Sequence, residues 1–380
     1  KGDWAGAANE IREKAFKEGR DQLVFLLDYA TLRHYQGDYK ESNRAFLQAD
    51  KLAEHLDYIS VSDKATSFIV TEELKAYQGD TFEKIFINAY LAMNYLKMGD
   101  LENALVEARR LNEKYLSLRR EGDQKNYQQN FFGKYLSALL WEANGDFADA
   151  FIAYKEAFAI DPSIKYLPED LVRTAFLSRR TEDLKLMREQ FPQVEIRNEW
   201  KKKNFGELIF IFDQGWGPRK DFAPGNHKLP TLVRQRHQTS KAVLALEAQA
   251  SLETQMIYDV ADSAIKTLAE DLPILAAKRI AAQVVRDSIA FNQKSKKRED
   301  QVATLLTWIV LSAADRADLR QWSLVPNSIQ MVRVFLPEGT YRGRVSGLEA
   351  SGAPSGEGQD YEKIEIHRGR KTFLFFKSVR

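Results

Sequence analysis

Cysteine is absent from the 380 residues, which rules out disulfides, thiolate nucleophiles and zinc sites built on sulfur. The absence suits an oxidising compartment, where a stray thiol is a liability, and is common in reducing ones too. No sign of charge dominates: 56 basic against 54 acidic side chains leave a formal charge of +2. Nucleic-acid binding needs cations gathered on one face. The densest run, Lys294, Lys296, Lys297 and Arg298, is followed at once by Glu299 and Asp300 and reads as a solvated helix end. No nucleic-acid partner is expected. Long apolar runs are missing as well: residues 302–314 fall short of the roughly 20 that span a bilayer and read as a buried helix. Histidine is scarce, and His34, His55, His227, His237 and His367 never stand four apart as a helical metal pair does. Nucleophile elbows, phosphate-cradling loops and dinucleotide fingerprints are not found. No catalytic residue, metal or cofactor is therefore assigned.

What is present is the apolar content of a folded protein, 44% against 29% charged, in a chain longer than one core usually serves. Two domains are expected, 1–192 and 193–380. In the first, Gly-Asp recurs at Gly37-Asp38, Gly99-Asp100 and Gly145-Asp146 between helical patterns. Aligning on these glycines gives three similar units, 21–55, 85–118 and 131–164, each resembling the 34-residue tetratricopeptide repeat. The steric logic repeats: Ala30, Ala92 and Ala138 leave room where a second helix crosses the first. Ala49, Ala104, Ala150 and Ala157 let that second helix nest. Glycine can take the left-handed turn that ends the first helix, and aspartate can cap the second. The glycines stand 62 and 46 residues apart, so 56–83 and 119–130 are expected insertions. Residues 168–190 read as further helices capping the array.

In such arrays the first helix of each pair lines the concave face. Thr31, His34, Lys97, Tyr135, Leu139 and Glu142 are the candidate partner-binding residues there, unless the inserted segments cover them. The Lys/Asn clamp by which some tetratricopeptide domains grip C-terminal carboxylates is not evident.

After Pro192 the pattern changes to short strands: 208–212, 242–246, 253–258, 329–336, 341–345, 361–366 and 372–376. A long helix is expected over 260–295, interrupted near Pro273, and a second over 305–314. Ser351 to Gln359 reads as a mobile hairpin tip, and the alternation Lys363-Ile364-Glu365-Ile366 as a sheet with one wet face. Strands on both sides of helices imply a smaller α+β domain with a mainly antiparallel sheet. His227 and His237 share a basic loop with Arg234 and Arg236. Two loops combine an aromatic with cations: Trp216 with Arg219, and Trp322 with Arg320. Each tryptophan either plugs the rim of the core while its arginine pairs with a carboxylate, or forms part of a partner-binding edge.

The stretches LIFIFDQGWGPRK (208–220) and ADLRQWSLVPNSIQMVRVFLPEGTY (317–341), with the repeats, resemble a family of uncharacterised bacterial envelope lipoproteins. These join tetratricopeptide repeats to a C-terminal α+β domain. The resemblance implies a periplasmic protein, held at the outer membrane by a lipid anchor upstream of Lys1, whose partners include other envelope lipoproteins. The leading expectation is a non-enzymatic scaffold that holds a protein or peptide partner on the repeats. An enzyme or small-ligand binder, with its site between the array and the Trp216 and Trp322 loops, is the alternative. A cytosolic peptide-sensing regulator is a third.

Overall fold

The computed structural model describes residues 2–62, 76–121, 131–201, 204–247, 249–273, 275–276 and 316–380. Helices come first: α1 (Trp4–Phe16), α2 (Gln22–Gln36), α3 (Tyr39–Ser62), α4 (Thr81–Lys97), α5 (Leu101–Glu121), α6 (Phe131–Ala143), α7 (Phe147–Ile160), α8 (Leu167–Leu177), α9 (Thr181–Gln190) and the short α10 (Asn198–Lys201). The pairs α2–α3, α4–α5 and α6–α7 are the three repeat units. Each turns on its Gly-Asp step: Gly37, Gly99 and Gly145 have φ of 92°, 74° and 84°. The amide of the following aspartate reaches back five residues, Asp38 to Arg33 (2.9 Å), Asp100 to Tyr95 (2.9 Å) and Asp146 to Trp141 (3.0 Å). Capping is uneven. Asp38 and Asp100 accept from the backbone amides of Glu41 (3.3 Å) and Asn103 (3.1 Å). Asp146 instead accepts from the side chain of Asn144 at 2.6 Å, so its helix begins without that cap.

The small residues at the helix crossings, Ala30, Ala92, Ala138, Ala49, Ala104, Ala150 and Ala157, are all buried. Part of each expected insertion is longer helix, since α3 runs to Ser62 and α5 to Glu121. The remainder, 63–75 and 122–130, lies outside the described residues. Helix α1, which no repeat signal announced, packs on α2 ahead of the first pair.

The strands are β1 (Phe205–Gln214), β2 (Arg219–Ala223), β3 (Asn226–Val233), β4 (Lys241–Leu246), β5 (Leu252–Glu253), β6 (Gln255–Asp259), β7 (Ser328–Pro337), β8 (Gly339–Leu348), β9 (Pro354–Ile366) and β10 (Lys371–Lys377). They form one four-stranded sheet ordered β10-β1-β7-β6, a second ordered β5-β4-β8-β9, and the hairpin β2-β3. All pairings are antiparallel except β1 with β10. Sheet partners thus come from both sides of the helical residues 260–273. The rest of the helix expected to 295, the helix expected over 305–314 and the basic run near Lys296 lie outside the described residues.

Two expectations are corrected. Ser351 to Gln359 is not a loose tip: β9 starts at Pro354 and pairs with β8, Gln359 opposite Val345 and Gly358 opposite Ser346. Gly358 has no room for a side chain, since a Cβ would lie 2.6 Å from the Val345 carbonyl oxygen. His227 is not in a loop but in β3.

Period-two alternation explains how the layers stack. Leu208, Phe210 and Phe212 of β1 join Val332, Leu336 and Leu374 against Ala242, Leu244, Val345 and Ile364 of the second sheet. Ile209 and Ile211, with Ile329 and Met331, instead share a core with Phe46, Phe86, Tyr90 and Tyr135 of the helices. The first sheet is therefore sandwiched, helices on one face and the second sheet on the other. On that outer sheet Ile364 and Ile366 are buried while Lys363 and Glu365 are exposed, as the alternation predicts.

Candidate functional site

The first helices of the repeat pairs present their concave side to the first sheet and to the segment 316–327 that leads into β7. This segment is neither helix nor strand, and side chains place its middle, between backbone bonds of Ala317 to His227 (2.9 Å) and of Asn327 to Gln214 (2.8 Å). Trp322 is its anchor, 1% exposed. Its indole lies against Phe46, Phe86 and Tyr90, with ring centroids 5.6, 6.1 and 5.4 Å away. The indole Nε1 donates to Thr31 Oγ1 at 2.8 Å, and that hydroxyl donates onward to the Leu27 carbonyl at 2.8 Å. The Trp322 amide donates to Glu83 Oε1 at 2.6 Å. A buried indole costs little only when its N–H is satisfied, and here both donors of the residue are met by the array.

Carboxylates of the helices grip the flanking residues. Ser323 donates to Asp28 from its amide (3.1 Å) and hydroxyl (2.5 Å). Arg320 pairs with Asp21 at 2.8 Å and with Asp318 at 2.7 Å. Lys220, buried on β2, bonds Asp80 (2.7 Å) and the Arg320 carbonyl (3.1 Å). Burial raises Glu83 to about 7, with nearby Asp80 adding and Lys220 opposing. Burial likewise raises Asp28 to about 6 against its bonds to Ser323.

Farther along the groove, three carboxylates and three cations are buried together. Arg333 on β7 bonds Glu207 (2.7 Å), Asp170 (2.5 Å) and the Tyr135 hydroxyl (2.8 Å). Arg173 bonds Glu142 at 2.7 Å and also Asp170. Lys371 bonds Glu207 and lies 3.2 Å from Glu142. Tyr135 and Tyr154 donate to Asp170 and Glu142, each at 2.8 Å. Burial pushes Glu142 and Glu207 up, but the surrounding cations outweigh it and hold both below the usual carboxylate range. The network ties α6 and α8 to β1, β7 and β10.

At the opposite end Tyr35 and Tyr90 donate to Asp213 Oδ2 at 3.1 and 3.3 Å. Lys377 donates to the Gly215 carbonyl and lies 4.1 Å from the centre of the Trp216 ring. Burial lowers it to about 7 despite the attraction of Asp213.

The residues singled out in the sequence fall into two groups. Thr31, His34, Tyr135, Leu139, Glu142 and Trp322 are buried, and the contacts described for them are within the chain. Lys97 and Trp216 are half-buried, the Lys97 ammonium lying 5.3 Å from the Phe375 ring. Arg320 is tied to its two aspartates, and Arg219 is exposed on the β2 hairpin. The array and the loops do meet, but around the chain's own strands. Unforeseen members are Glu83, Asp170, Glu207, Arg333, Lys371 and Lys377, while Asp213 and Lys220 bound the Trp216 loop that the sequence singled out. A signal existed for those on β1, β7 and β10: each is a charge set within or at the end of an apolar run, on the face that alternation turns toward the helices. Among the described residues, no group of three or more His, Asp or Glu is placed to hold a metal.

This geometry defines the class: a tetratricopeptide-like helical array followed by a strand region whose sheets are mainly antiparallel. No family model matches the chain, and no curated protein does. Among solved structures it is similar to nearly identical TPR-like repeats named for a kinesin light chain of Podosopora anserina. Identity there is 12%, TM-score 0.32, covering 50% of this chain and 85% of that one. A tetratricopeptide repeat protein from Parabacteroides merdae is also 12% identical, TM-score 0.21, over 52% of this chain and 76% of that one.

Proposed function

We propose that this chain is a non-enzymatic protein-interaction scaffold of the bacterial cell envelope. Its array holds the chain's own strands in the concave groove and offers its remaining surface to a partner protein. The observation that supports this reading most is the seating of Trp322: an irregular segment gripped by an aromatic pocket, a threonine hydroxyl and two helix carboxylates is how a helical groove holds a peptide, here supplied in cis. The partner is a protein or peptide, with other envelope lipoproteins the first to test. A lipid anchor upstream of Lys1 and a periplasmic, outer-membrane location complete the proposal. Support for those two points is the resemblance of residues 208–220 and 317–341 to the envelope lipoproteins.

The experiment is to express the full-length gene in its own host, label with radioactive palmitate, and fractionate the membranes with chemical cross-linking. Label in the protein, outer-membrane recovery and a cross-linked protein partner are expected. An unlabelled protein recovered in the cytosol would sink the envelope assignment. A labelled protein without any cross-linked partner would sink the scaffold role.

A further inference from the structure

We infer that the groove between α3 and the C-terminal end of α4 is a docking site for an acidic, partly apolar peptide segment of a partner protein. The inference rests on the scaffold reading and names the surface and the partner chemistry that reading leaves open. The groove encloses about 620 Å³ and is lined by Lys40, Asn43, Arg44 and Lys51 over a floor that includes Leu47 and Met98. It lies on the second helix of the first repeat, not on the concave face that the first sheet fills. Lys40, Arg44 and Lys51 are exposed, Met98 is exposed and Leu47 half-buried. Positions 40, 44, 47 and 51 form one helical stripe about 17 Å long at 1.5 Å per residue. Among the lining residues there is no carboxylate. The Arg44 guanidinium is engaged elsewhere, bonded to Glu41 at 3.2 Å on its own helix and 4.7 Å from the centre of the Phe16 ring, so Lys40 and Lys51 carry the positive charge of the groove.

The independent observation is Asn43. It is only 5% exposed, yet its side-chain Nδ2 has no hydrogen-bond partner. The orientation of its amide is set from within. Burial lowers His34 to about 4, so its ring is neutral at pH 7. Its Nδ1 lies 2.6 Å from Asn94 Oδ1, which can only accept, so Nδ1 carries the proton. Asn94 Nδ2 then donates to Ser42 Oγ (2.8 Å) and to Asn43 Oδ1 (2.9 Å). Asn43 is thereby held with its oxygen used and its two N–H donors left over. A buried donor without an acceptor is costly and rare. The groove that Asn43 lines carries Lys40 and Lys51, which suit a carboxylate, with Leu47 and Met98 available to an apolar neighbour of that carboxylate.

The test uses the whole chain, immobilised, to select binders from a random dodecapeptide phage library. Selected peptides are then measured by fluorescence anisotropy against wild type, Lys40→Glu/Lys51→Glu and Asn43→Leu. The double charge reversal changes two exposed side chains and leaves the buried relay alone, so it is the decisive variant; matching circular dichroism confirms its fold. We expect Asp- and Glu-rich sequences containing Leu, Ile or Phe, weakened at least tenfold by Lys40→Glu/Lys51→Glu. Raising salt from 50 to 500 mM should weaken them too. Selected peptides that bind both forms equally overturn the groove while leaving the scaffold reading intact. Failure to select any peptide overturns the groove and counts against that reading as well. Displacement by free glutarate at the peptide's own affinity would show a small-carboxylate site and also overturn the proposal.

Discussion

Single residues decide how tightly the groove is closed, and Trp322 is the clearest case. Trp322→Ala should cost about 3–5 kcal/mol, the usual loss for emptying a large aromatic site. Trp322→Phe keeps most of the apolar contact and removes only the bond to Thr31, so about 1 kcal/mol is expected. Urea unfolding followed by circular dichroism separates the two, and equal losses would mean that packing against Phe46, Phe86 and Tyr90 matters less than the indole N–H. The acids around this residue predict a pH dependence. Glu83 is raised from 4.5 to about 7 and Asp28 from 3.8 to about 6. A carboxyl whose folded pKa is raised binds its proton more readily when folded. Its contribution is complete below the unfolded value and is lost as pH rises through the folded one. The urea midpoint should therefore fall as pH rises from 4.5 to 7, by a contribution of roughly 1–3 kcal/mol. Glu83→Gln should flatten that slope. An unchanged slope in the variant would show that Glu83 does not titrate in this range.

At the level of elements, β7 carries the load, because its central Arg333 bonds groups on α6, α8 and β1. Arg333→Ala would leave Asp170 and Glu207 buried with fewer counter-charges, and removing one partner of a buried pair costs about 3–5 kcal/mol. Arg333→Lys should recover little of this, since the three donors of an ammonium sit on one atom and cannot span the separated acceptors that a planar guanidinium reaches. Denaturant midpoints of the two variants check the point, and a lysine variant near wild type would contradict it. The carboxylates here act opposite to Glu83. With folded pKa values held down, the stability they contribute is present above about 4.5 and lost as pH falls through the folded values.

Elements also show what a sequence displays and what it hides. The helix pairs were legible because close crossing demands alanine and a left-handed turn demands glycine, and both demands recur at fixed offsets around Gly37, Gly99 and Gly145. The β2–β3 hairpin was not, because strands reading Arg-Lys-Asp-Phe-Ala and Asn-His-Lys-Leu-Pro-Thr-Leu-Val carry little regular apolar alternation. Residues 354–359 misled for a different reason: of the glycines that looked mobile, Gly358 is there because the β8 backbone passes so close, and Gly356 because its φ is +80°. The groove residues Thr31, His34, Tyr135 and Glu142 could be placed on the inner helix face from the repeat alone. Their partners could not, since nothing in Asp213, Arg333 or Lys371 states which distant helix each will meet.

For the whole molecule, the consequence is that the concave face is closed by a ligand of the same chain. A segment tethered beside its site acts at an effective concentration on the order of millimolar, so an external peptide binding equally well competes only when it approaches that level. A synthetic peptide spanning residues 316–327 is therefore expected not to bind the wild-type chain at tens of micromolar. In the Trp322→Ala chain the pocket of Phe46, Phe86 and Tyr90 loses its occupant, while Thr31 and Glu83 keep the groups that received the indole and the amide. The peptide should then bind that variant, raise its melting temperature and protect its helices from hydrogen exchange. The same peptide with alanine at its tryptophan should do neither. Equal binding to wild type and variant would mean that the groove opens readily, and the concave residues would then be within reach of a partner in trans. Selective rescue of the variant would instead leave partners to the outer surfaces, where the Lys40–Lys51 stripe lies.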